Sequence, residues 1–243
     1  MDAPDLFTAS VEERIASRAP LAARMRPVSL EDVVGQEDLV GPSGPLRRLI
    51  ESDRLASIIL WGPPGTGKTT LAELVASTTK RNFERLSAVT AGVKDIREVI
   101  DAAKRRLTID DRGTVAFVDE IHRFNTTQQD ALLHAVESGL VTLVGATTEN
   151  PAFSVNPALR SRSSVFGLKP VDESAVTELL RRALIHEGVE AQDGAIEILA
   201  RRCTGDARQA LTALEVAIAL SGGAVVTVEN ATTALDTSVS RMG

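Results

Sequence analysis

The sequence predicts an α/β fold, in which helices flank a parallel sheet, followed by a smaller all-α domain. As far as residue 169, short apolar and β-branched runs alternate with segments of good helix formers, and strands that alternate with helices form parallel sheets. From Pro170 onward the apolar residues recur at three- and four-residue spacing, which is typical of amphipathic helices. We therefore predict an N-terminal extension over 1–20, expected to be flexible, an α/β domain over 21–169 and a helical domain over 170–243.

The apolar runs of the α/β domain predict a sheet of five parallel strands. The expected strands are Ser57–Trp61, Phe83–Val89, Thr114–Val118, Val141–Ala146 and Ser163–Leu168. The expected helices are Val11–Ala19, Leu46–Glu51, Thr70–Ala76, Asp95–Arg106 and Gln128–Glu137. In the second domain, Thr227 is a candidate N-cap of the last short helix.

Composition is that of a soluble globular protein, with 43% apolar and 25% charged residues and a net charge of -6. The acidic balance argues against a surface that coats nucleic acid broadly, although it allows a local basic patch. The single cysteine, Cys203, cannot form an internal disulfide, which fits a reducing cytosol. No apolar run approaches the roughly 18 residues of a membrane span, and no secretory signal opens the chain. We expect a cytoplasmic protein that does not bind membranes.

A phosphate-binding loop follows the first predicted strand. It fits the pattern G-x-x-x-x-G-K-[ST] with Gly62, Pro63, Pro64, Gly65, Thr66, Gly67, Lys68 and Thr69. A strand before the loop and a helix from Thr70 are the context that this motif requires. The glycines let backbone N–H groups approach phosphate oxygens, and the helix N-terminus favours the same negative charge. Lys68 is expected to reach the β- and γ-phosphates and Thr69 to ligate Mg²⁺, so the stretch through Thr70 predicts a nucleoside triphosphate site.

Two adjacent carboxylates end the most strand-like run of the sequence. Asp119 and Glu120 follow Val115–Val118 directly, and the carboxyl end of a strand near the phosphate loop is where Mg²⁺ is held. We therefore assign Asp119 to the metal and Glu120 to the general base that polarises the attacking water. The two motifs together predict hydrolysis as well as binding.

After the phosphate loop and Asp119-Glu120 come Gly145–Thr148, Ala158–Arg162 and Gly205–Arg208, the order of motifs in AAA+ ATPases of the clamp-loader and RuvB-like branch. Four longer runs are more specific: Pro20–Pro27, Ser87–Lys94, Asp119–Asn125 and Gly145–Pro151. Through these runs the chain resembles, from about residue 20 to the end, the replication-associated recombination protein A family. The resemblance implies a Mg²⁺-dependent ATPase that acts on DNA with forks, gaps or single-stranded ends, as a homo-oligomer. Single-strand-binding protein or the sliding clamp are the protein partners that it suggests.

The same resemblance implies roles for individual residues. Thr148 matches sensor 1, which orients the water or the γ-phosphate, and Arg208 matches sensor 2 on the helical lid. Arg162 matches the arginine finger that acts on the neighbouring subunit's site, with Arg160 as its rival in the same segment. Ser87 matches the polar residue that can hold the catalytic glutamate away from water.

The lead-in before the first strand is expected to wrap the adenine. Val34 and Gly35 are the residues that correspond to it, and ATP is inferred from the family because no side chain there identifies the base. His122 is expected on a loop that faces the central channel or the next subunit. Cys203 is expected in the core of the lid, and three histidines with one cysteine offer no zinc cluster. Asp5-Leu6-Phe7 resembles the end of a sliding-clamp-binding peptide, although the customary glutamine is replaced by Ala3.

Two other functions stay open at this point. One is a clamp-loader subunit or a RuvB-like branch-migration motor, against which the Asp119–Asn125 run argues. The other is a nucleotide-switched scaffold with little hydrolysis, against which the intact set of catalytic residues argues. Family members continue with a helical domain that forms tetramers, so we expect an ATPase core without that domain or a short relative, with weak or nucleotide-dependent assembly.

Overall fold

The computed structural model describes residues 18–52, 55–79 and 81–239. The chain divides into two compact units: residues 27–170 form one, and the chain on either side forms the other. Within the described ranges, no helix is long and apolar enough to cross a membrane. The predicted helix Val11–Ala19 falls almost entirely outside these residues, and the clamp-binding motif Asp5-Leu6-Phe7 falls wholly outside them.

A five-stranded parallel sheet forms the centre of the first unit, as predicted. Its strands are β1 (Ile58–Trp61), β2 (Asn82–Ser87), β3 (Thr114–Asp119), β4 (Val141–Thr147) and β5 (Ser164–Gly167). Their order across the sheet is β2-β3-β4-β1-β5, so β1 pairs in parallel with both β4 and β5. The chain thus places the loop after β1 between the ends of two other strands.

The α-helices follow in chain order. They are α1 (Leu21–Arg24), α2 (Glu37–Val40), α3 (Pro45–Glu51), α4 (Lys68–Thr78), α5 (Val93–Asp110), α6 (Thr126–Glu137), α7 (Pro151–Ser154), α8 (Pro157–Ser161), α9 (Glu173–Glu187), α10 (Asp193–Arg202), α11 (Ala207–Ser221) and α12 (Val228–Val239). Two short 3-10 turns, Leu30–Asp32 and Ile121–Arg123, lie among them.

Apolar residues on the two faces of the sheet form two separate core clusters. On β1, Leu60 belongs to the cluster that contains Leu71 of α4, whereas its neighbour Ile59 belongs to the cluster that contains Ile96 of α5 and Leu132 of α6. Successive side chains of a strand point to opposite faces, so both faces of the sheet are covered by helices. This explains why the central strands β1, β3 and β4 are near-continuous apolar runs.

Helices make up most of the second unit. Helix α9 begins at the N-cap Asp172, whose side chain accepts a hydrogen bond from the Ala175 amide, and ends at the left-handed Gly188. The segment at α1 packs with these helices, because Leu21 is fully buried and its amide donates to Glu215 Oε1 at 2.8 Å. The predicted cap at Thr227 is present, since its hydroxyl accepts from the Asn230 amide.

The short helices α7 and α8 were not predicted. Each begins with an asparagine whose side chain accepts an amide two residues on, Asn150 from Ala152 and Asn156 from Ala158. Each has proline at its first position, where the missing N–H costs nothing. The two Asn-Pro pairs were therefore a readable helix-start signal.

Candidate active site

The phosphate loop lies at the carboxyl edge of the sheet. It leaves β1 after Trp61, while β3 ends in Asp119 and β4 ends in Thr147 at the same edge. Gly62 continues the pairing, because its amide donates to the Thr147 carbonyl at 3.2 Å. In parallel α/β sheets this edge is where ligands bind.

Glycine is required at two points of the loop for different reasons. A Cβ on Gly62 would lie 2.5 Å from the Leu168 carbonyl oxygen, so a larger residue would push the loop away from the strand end. Gly67 has φ of 96° and stands at the N-cap of α4, a left-handed conformation that glycine adopts at little cost. The loop therefore turns sharply into the helix.

The ammonium group of Lys68 is held inside the loop. The residue is only 7% exposed, and its Nζ donates to the carbonyls of Gly62 at 2.7 Å and Pro63 at 2.8 Å. Thr66 Oγ1 also donates to the Pro63 carbonyl, at 2.9 Å. A buried charge needs such partners, and phosphate oxygens would be stronger ones than neutral carbonyls.

The surrounding donors fit a polyphosphate. Within the described part of the chain, the amides of Gly65, Thr66 and Gly67 make no hydrogen bond to protein, and no side chain caps the N-terminus of α4. Unpaired amides at a helix N-terminus form an anion site. These observations fit the predicted nucleotide site.

Oxygen ligands for Mg²⁺ are present at the same edge. Thr69 lies in the first turn of α4 and is partly exposed, and the side chain of Asp119 is 26% exposed. Among the described residues, no group of three or more His, Cys, Asp or Glu side chains could hold a metal by itself. Mg²⁺ usually takes one or two protein oxygens and completes its shell with phosphate and water, so Thr69 and Asp119 fit that ion.

Arg85, which lies beside Asp119, was not predicted as a site residue from the sequence. Arg85 lies on the edge strand β2, with Nη2 at 3.6 Å from Asp119 Oδ2 and Nη1 at 3.1 Å from Glu73 Oε1. Its guanidinium carbon stands 5.6 Å from the centre of the Phe117 ring. The sequence did contain a pointer to it. Arg85 stands two residues before Ser87 on a half-exposed strand, so the two side chains lie on the same face of the sheet.

Glu120 adopts a left-handed backbone conformation, with φ of 55° and ψ of 47°. For a non-glycine residue this costs on the order of 1 kcal/mol and is common at functional sites. Its Oε2 accepts a hydrogen bond from Thr148 Oγ1 at 3.3 Å. The structure thus brings together the two residues expected to act as general base and sensor 1, although their roles stay predictions.

The expectation for His122 is wrong. Instead of facing a channel or another subunit, its side chain is only 8% exposed, and Nδ1 lies 3.2 Å from Glu120 Oε2. The same nitrogen lies within hydrogen-bond distance of Thr147 Oγ1, at 3.0 Å. The turn of the backbone at Glu120 and the placement of β4 beside β3 carry His122 over the end of β4.

Ser87 ends β2 opposite Asp119 in the sheet register. Its side chain is exposed, and no hydrogen bond joins it to Glu120 within the described part of the chain. Its role in holding Glu120 stays a prediction.

The lead-in at Val34 and Gly35 is anchored to the phosphate loop by Gln36. Gln36 is 4% exposed, and its Nε2 donates to the carbonyls of Thr66 at 3.3 Å and Lys169 at 2.8 Å. Gly35 takes φ of 74°. This role of Gln36 was not predicted from the sequence. The one pointer to it was an amide side chain directly after Gly35.

The two candidate finger arginines make different contacts. Arg160 Nη1 donates to the Ala152 carbonyl at 2.6 Å and thereby fastens α8 to α7. Arg162 Nη2 pairs with Glu137 Oε1 at 2.7 Å.

Arg208, in the other unit, is exposed in the first turn of α11, and its part in nucleotide binding stays a prediction.

Comparisons with known proteins show which proteins this chain resembles. Residues 58–170 match the family model described as "ATPase family associated with various cellular activities (AAA)". The chain is 48% identical to Replication-associated recombination protein A of Haemophilus influenzae over 206 residues, which are 82% of this chain and 46% of that protein. The Escherichia coli protein of that name is 48% identical over 204 residues, 81% of this chain and 45% of that protein.

Solved structures show the same fold. The Thermotoga maritima RuvB Holliday junction branch migration motor superposes with a TM-score of 0.73 at 28% identity, covering 88% of this chain and 72% of that one. Residues 58–170 of the chain therefore carry an AAA ATPase domain, the type of domain that hydrolyses ATP. The chain is similar to Replication-associated recombination protein A, as its motifs predicted. The chain spans about half the length of these curated relatives.

Proposed function

We propose that this chain is a Mg²⁺-dependent ATPase module that couples hydrolysis to work on DNA at stalled or gapped replication forks in the cytoplasm. The observation that carries the proposal is the convergence of Lys68, Asp119 and Glu120 at one edge of the sheet, with Glu120 bound to Thr148. The DNA part rests on similarity to proteins named for replication-associated recombination.

In the proposed reaction, the loop amides and Lys68 bind the phosphates and hold the γ-phosphorus in line with a water. Glu120 accepts a proton from that water as its oxygen bonds to phosphorus and the bond to the β-phosphate oxygen breaks, which releases ADP and phosphate. Thr69 and Asp119 would hold Mg²⁺, which neutralises negative charge on the phosphates. Thr148 orients the Glu120 carboxylate.

The proposed finger is Arg162, and topology supports its action in trans. The Ser164 amide donates to the Ser57 carbonyl at 2.9 Å, so Arg162 stands beside the start of β1, whereas the phosphate loop follows its end. A strand of that length spans about 13 Å. Arg162 therefore lies at the opposite edge of the sheet from its own phosphate loop and can complete only another subunit's site.

Steady-state ATP hydrolysis with and without forked or gapped DNA tests the function. We expect steady hydrolysis that Lys68→Ala and Glu120→Gln strongly reduce, and stimulation of that hydrolysis by DNA with forks, gaps or single-stranded ends. Binding of ATP without measurable turnover under any DNA condition would favour the nucleotide-switched scaffold. Mass measurement with ATP and forked DNA, on this chain and on one extended past Gly243, tests assembly.

A branch-migration motor is the second candidate, because the sheet and its helices superpose on RuvB. A four-way junction assay separates the two: movement of the junction with ATP would favour the motor. Stimulation of hydrolysis by forks or gaps without junction movement would favour the first proposal.

A further inference from the structure

His122 stands between the general base and the end of the neighbouring strand. Its imidazole is nearly buried, with Nδ1 facing Glu120 Oε2 at 3.2 Å and Thr147 Oγ1 at 3.0 Å. On the other side of the ring, Nε2 lies 3.7 Å from Glu149 Oε1, which is too far for a direct hydrogen bond. No step of the proposed reaction uses this histidine.

The surrounding groups decide which ring nitrogen carries hydrogen. An ionised carboxylate only accepts hydrogen bonds, so a lone pair on Nδ1 at 3.2 Å from Glu120 Oε2 would be repelled. Thr147 Oγ1 accepts from the Glu149 amide at 3.0 Å, and its single hydrogen can go to the Glu149 carbonyl, at 3.2 Å, or to Nδ1, so this hydroxyl is compatible with either form of the ring. The ionised carboxylate is therefore the neighbour that requires a hydrogen on Nδ1.

We propose that His122 is a positioning residue for Glu120. Its Nδ1–H is directed to Thr147 Oγ1 and stands 3.2 Å from Glu120 Oε2, which its partial positive charge attracts, and Thr148 Oγ1 donates to the same carboxylate oxygen. Since both contacts fall on Oε2, Oε1 is the oxygen left to take the proton of the attacking water. The proposal rests on the function proposed above, in which Glu120 is the base.

This arrangement also ties Glu120 to the end of β4. Thr147 is fully buried and belongs to that strand, so it cannot shift without the sheet. A carboxylate in a strained left-handed residue needs such fixed partners to hold one orientation. His122 thus connects the Glu120 carboxylate to a residue that the sheet holds in place.

Two substitutions at one position separate a hydrogen-bond role from packing. In His122→Asn the side-chain nitrogen stands the same number of bonds from the backbone as Nδ1 and keeps the donor, whereas His122→Leu fills space without one. We expect His122→Leu to lower kcat about tenfold or more, the scale of one lost hydrogen bond to a charged group, with ATP affinity unchanged. We expect His122→Asn to retain kcat within about threefold.

Glu149→Gln is the matched control, because it alters only the Nε2 side and should leave kcat unchanged. Thermal unfolding of each variant checks that the fold is kept. A folded His122→Leu variant with wild-type kcat would overturn the proposal, as would a folded His122→Asn variant as slow as His122→Leu. In the Glu120→Gln background, His122→Leu should have no further effect on kcat.

The tautomer gives a readout that does not depend on turnover. In ¹⁵N-labelled protein, long-range ¹H–¹⁵N couplings should show hydrogen on Nδ1 of His122. The three histidines are assigned with the His122→Asn variant. Hydrogen on Nε2 alone would refute the positioning role, whereas absence of ATP hydrolysis with hydrogen on Nδ1 would refute only the proposed function.

Discussion

Arg162 forms an ion pair with Glu137, with 2.7 Å between Nη2 and Oε1. Helix α6 ends at Glu137 after running back from the carboxyl edge of β3, and Arg162 precedes β5. The pair therefore stands at the amino edge of the sheet, opposite the phosphate loop. Both side chains are about two-fifths exposed, and such pairs contribute only about 0–1 kcal/mol, so the loss of this ion pair with Glu137 would cost little.

If Arg162 acts in trans, variants with complementary defects should restore activity when mixed. Arg162→Ala should strongly reduce hydrolysis and keep ATP affinity, and Glu120→Gln should also strongly reduce hydrolysis while retaining its finger. In a mixture, an Arg162→Ala subunit has an intact pocket and can receive Arg162 from a Glu120→Gln neighbour. We expect partial recovery of turnover, which rises and falls with the ratio of the two variants.

Arg160→Ala is the comparison for that experiment. Its guanidinium binds carbonyls of α7, so its loss should lower the melting temperature while turnover at low temperature is kept. If Arg160→Ala abolished hydrolysis in a stable protein and Arg162→Ala did not, the finger assignment would pass to Arg160.

Lys68→Ala and Glu120→Gln should separate binding from chemistry. Lys68 reaches the phosphates in the proposed site, so its removal should weaken ATP binding by about 10- to 100-fold, the scale of 1.4 to 2.8 kcal/mol. Glu120→Gln keeps the size of the side chain and loses only the base, so ATP affinity should stay while kcat falls by about 100-fold or more. Titration with a fluorescent ATP analogue and single-turnover hydrolysis measure the two effects, and unchanged turnover in Glu120→Gln would contradict the assignment of the base.

The parts of this site that depend on local sequence could be predicted. The strand, loop and helix around Gly62–Thr69 are determined by residues close together in the sequence, because the glycines and Lys68 all belong to one short loop. Likewise, the position of Asp119 at a strand end follows from the apolar run before it.

Contacts between distant segments could not be predicted in this way. Gln36 bonds the carbonyl of a residue 133 positions away, and His122 is covered because β4 happens to pair with β3. Sequence spacing holds no information on such pairings until the strand order is known. For the same reason His122 was expected to face the central channel or the next subunit, although its side chain lies beside Glu120.

The buried thiol of Cys203 should be unreactive in the folded protein. The side chain is fully buried, and burial, reinforced by the nearby Asp206, raises the pKa of the thiol to about 11. The thiolate is the reactive form. In mildly alkaline buffer, labelling of Cys203 with a thiol reagent should therefore be slow for the folded protein and fast once denaturant is added. Rapid native labelling would show that α10 and α11 open readily around it.

Asp172 should make the stability of α9 sensitive to acid. Hydrogen bonds from the Ser174 hydroxyl and then the Ala175 amide lower the pKa of this carboxyl from its ordinary 3.8. A group whose pKa is lowered by folding stabilises the fold above its unfolded pKa, and this contribution is lost as pH falls through the folded pKa. Asp172→Ala should cost about 1 kcal/mol at neutral pH, reduced to the extent that solvent screens this exposed cap.

Asp172→Asn is the matched variant, because its amide oxygen can still accept from Ala175 but does not titrate. Urea unfolding at neutral pH should give wild type and Asp172→Asn similar midpoints, with Asp172→Ala lower. Below pH 3.8 the wild type should lose stability relative to Asp172→Asn, because only its carboxylate becomes protonated and weaker as an acceptor. A constant difference between these two proteins across that range would show that the cap does not depend on the charge of Asp172.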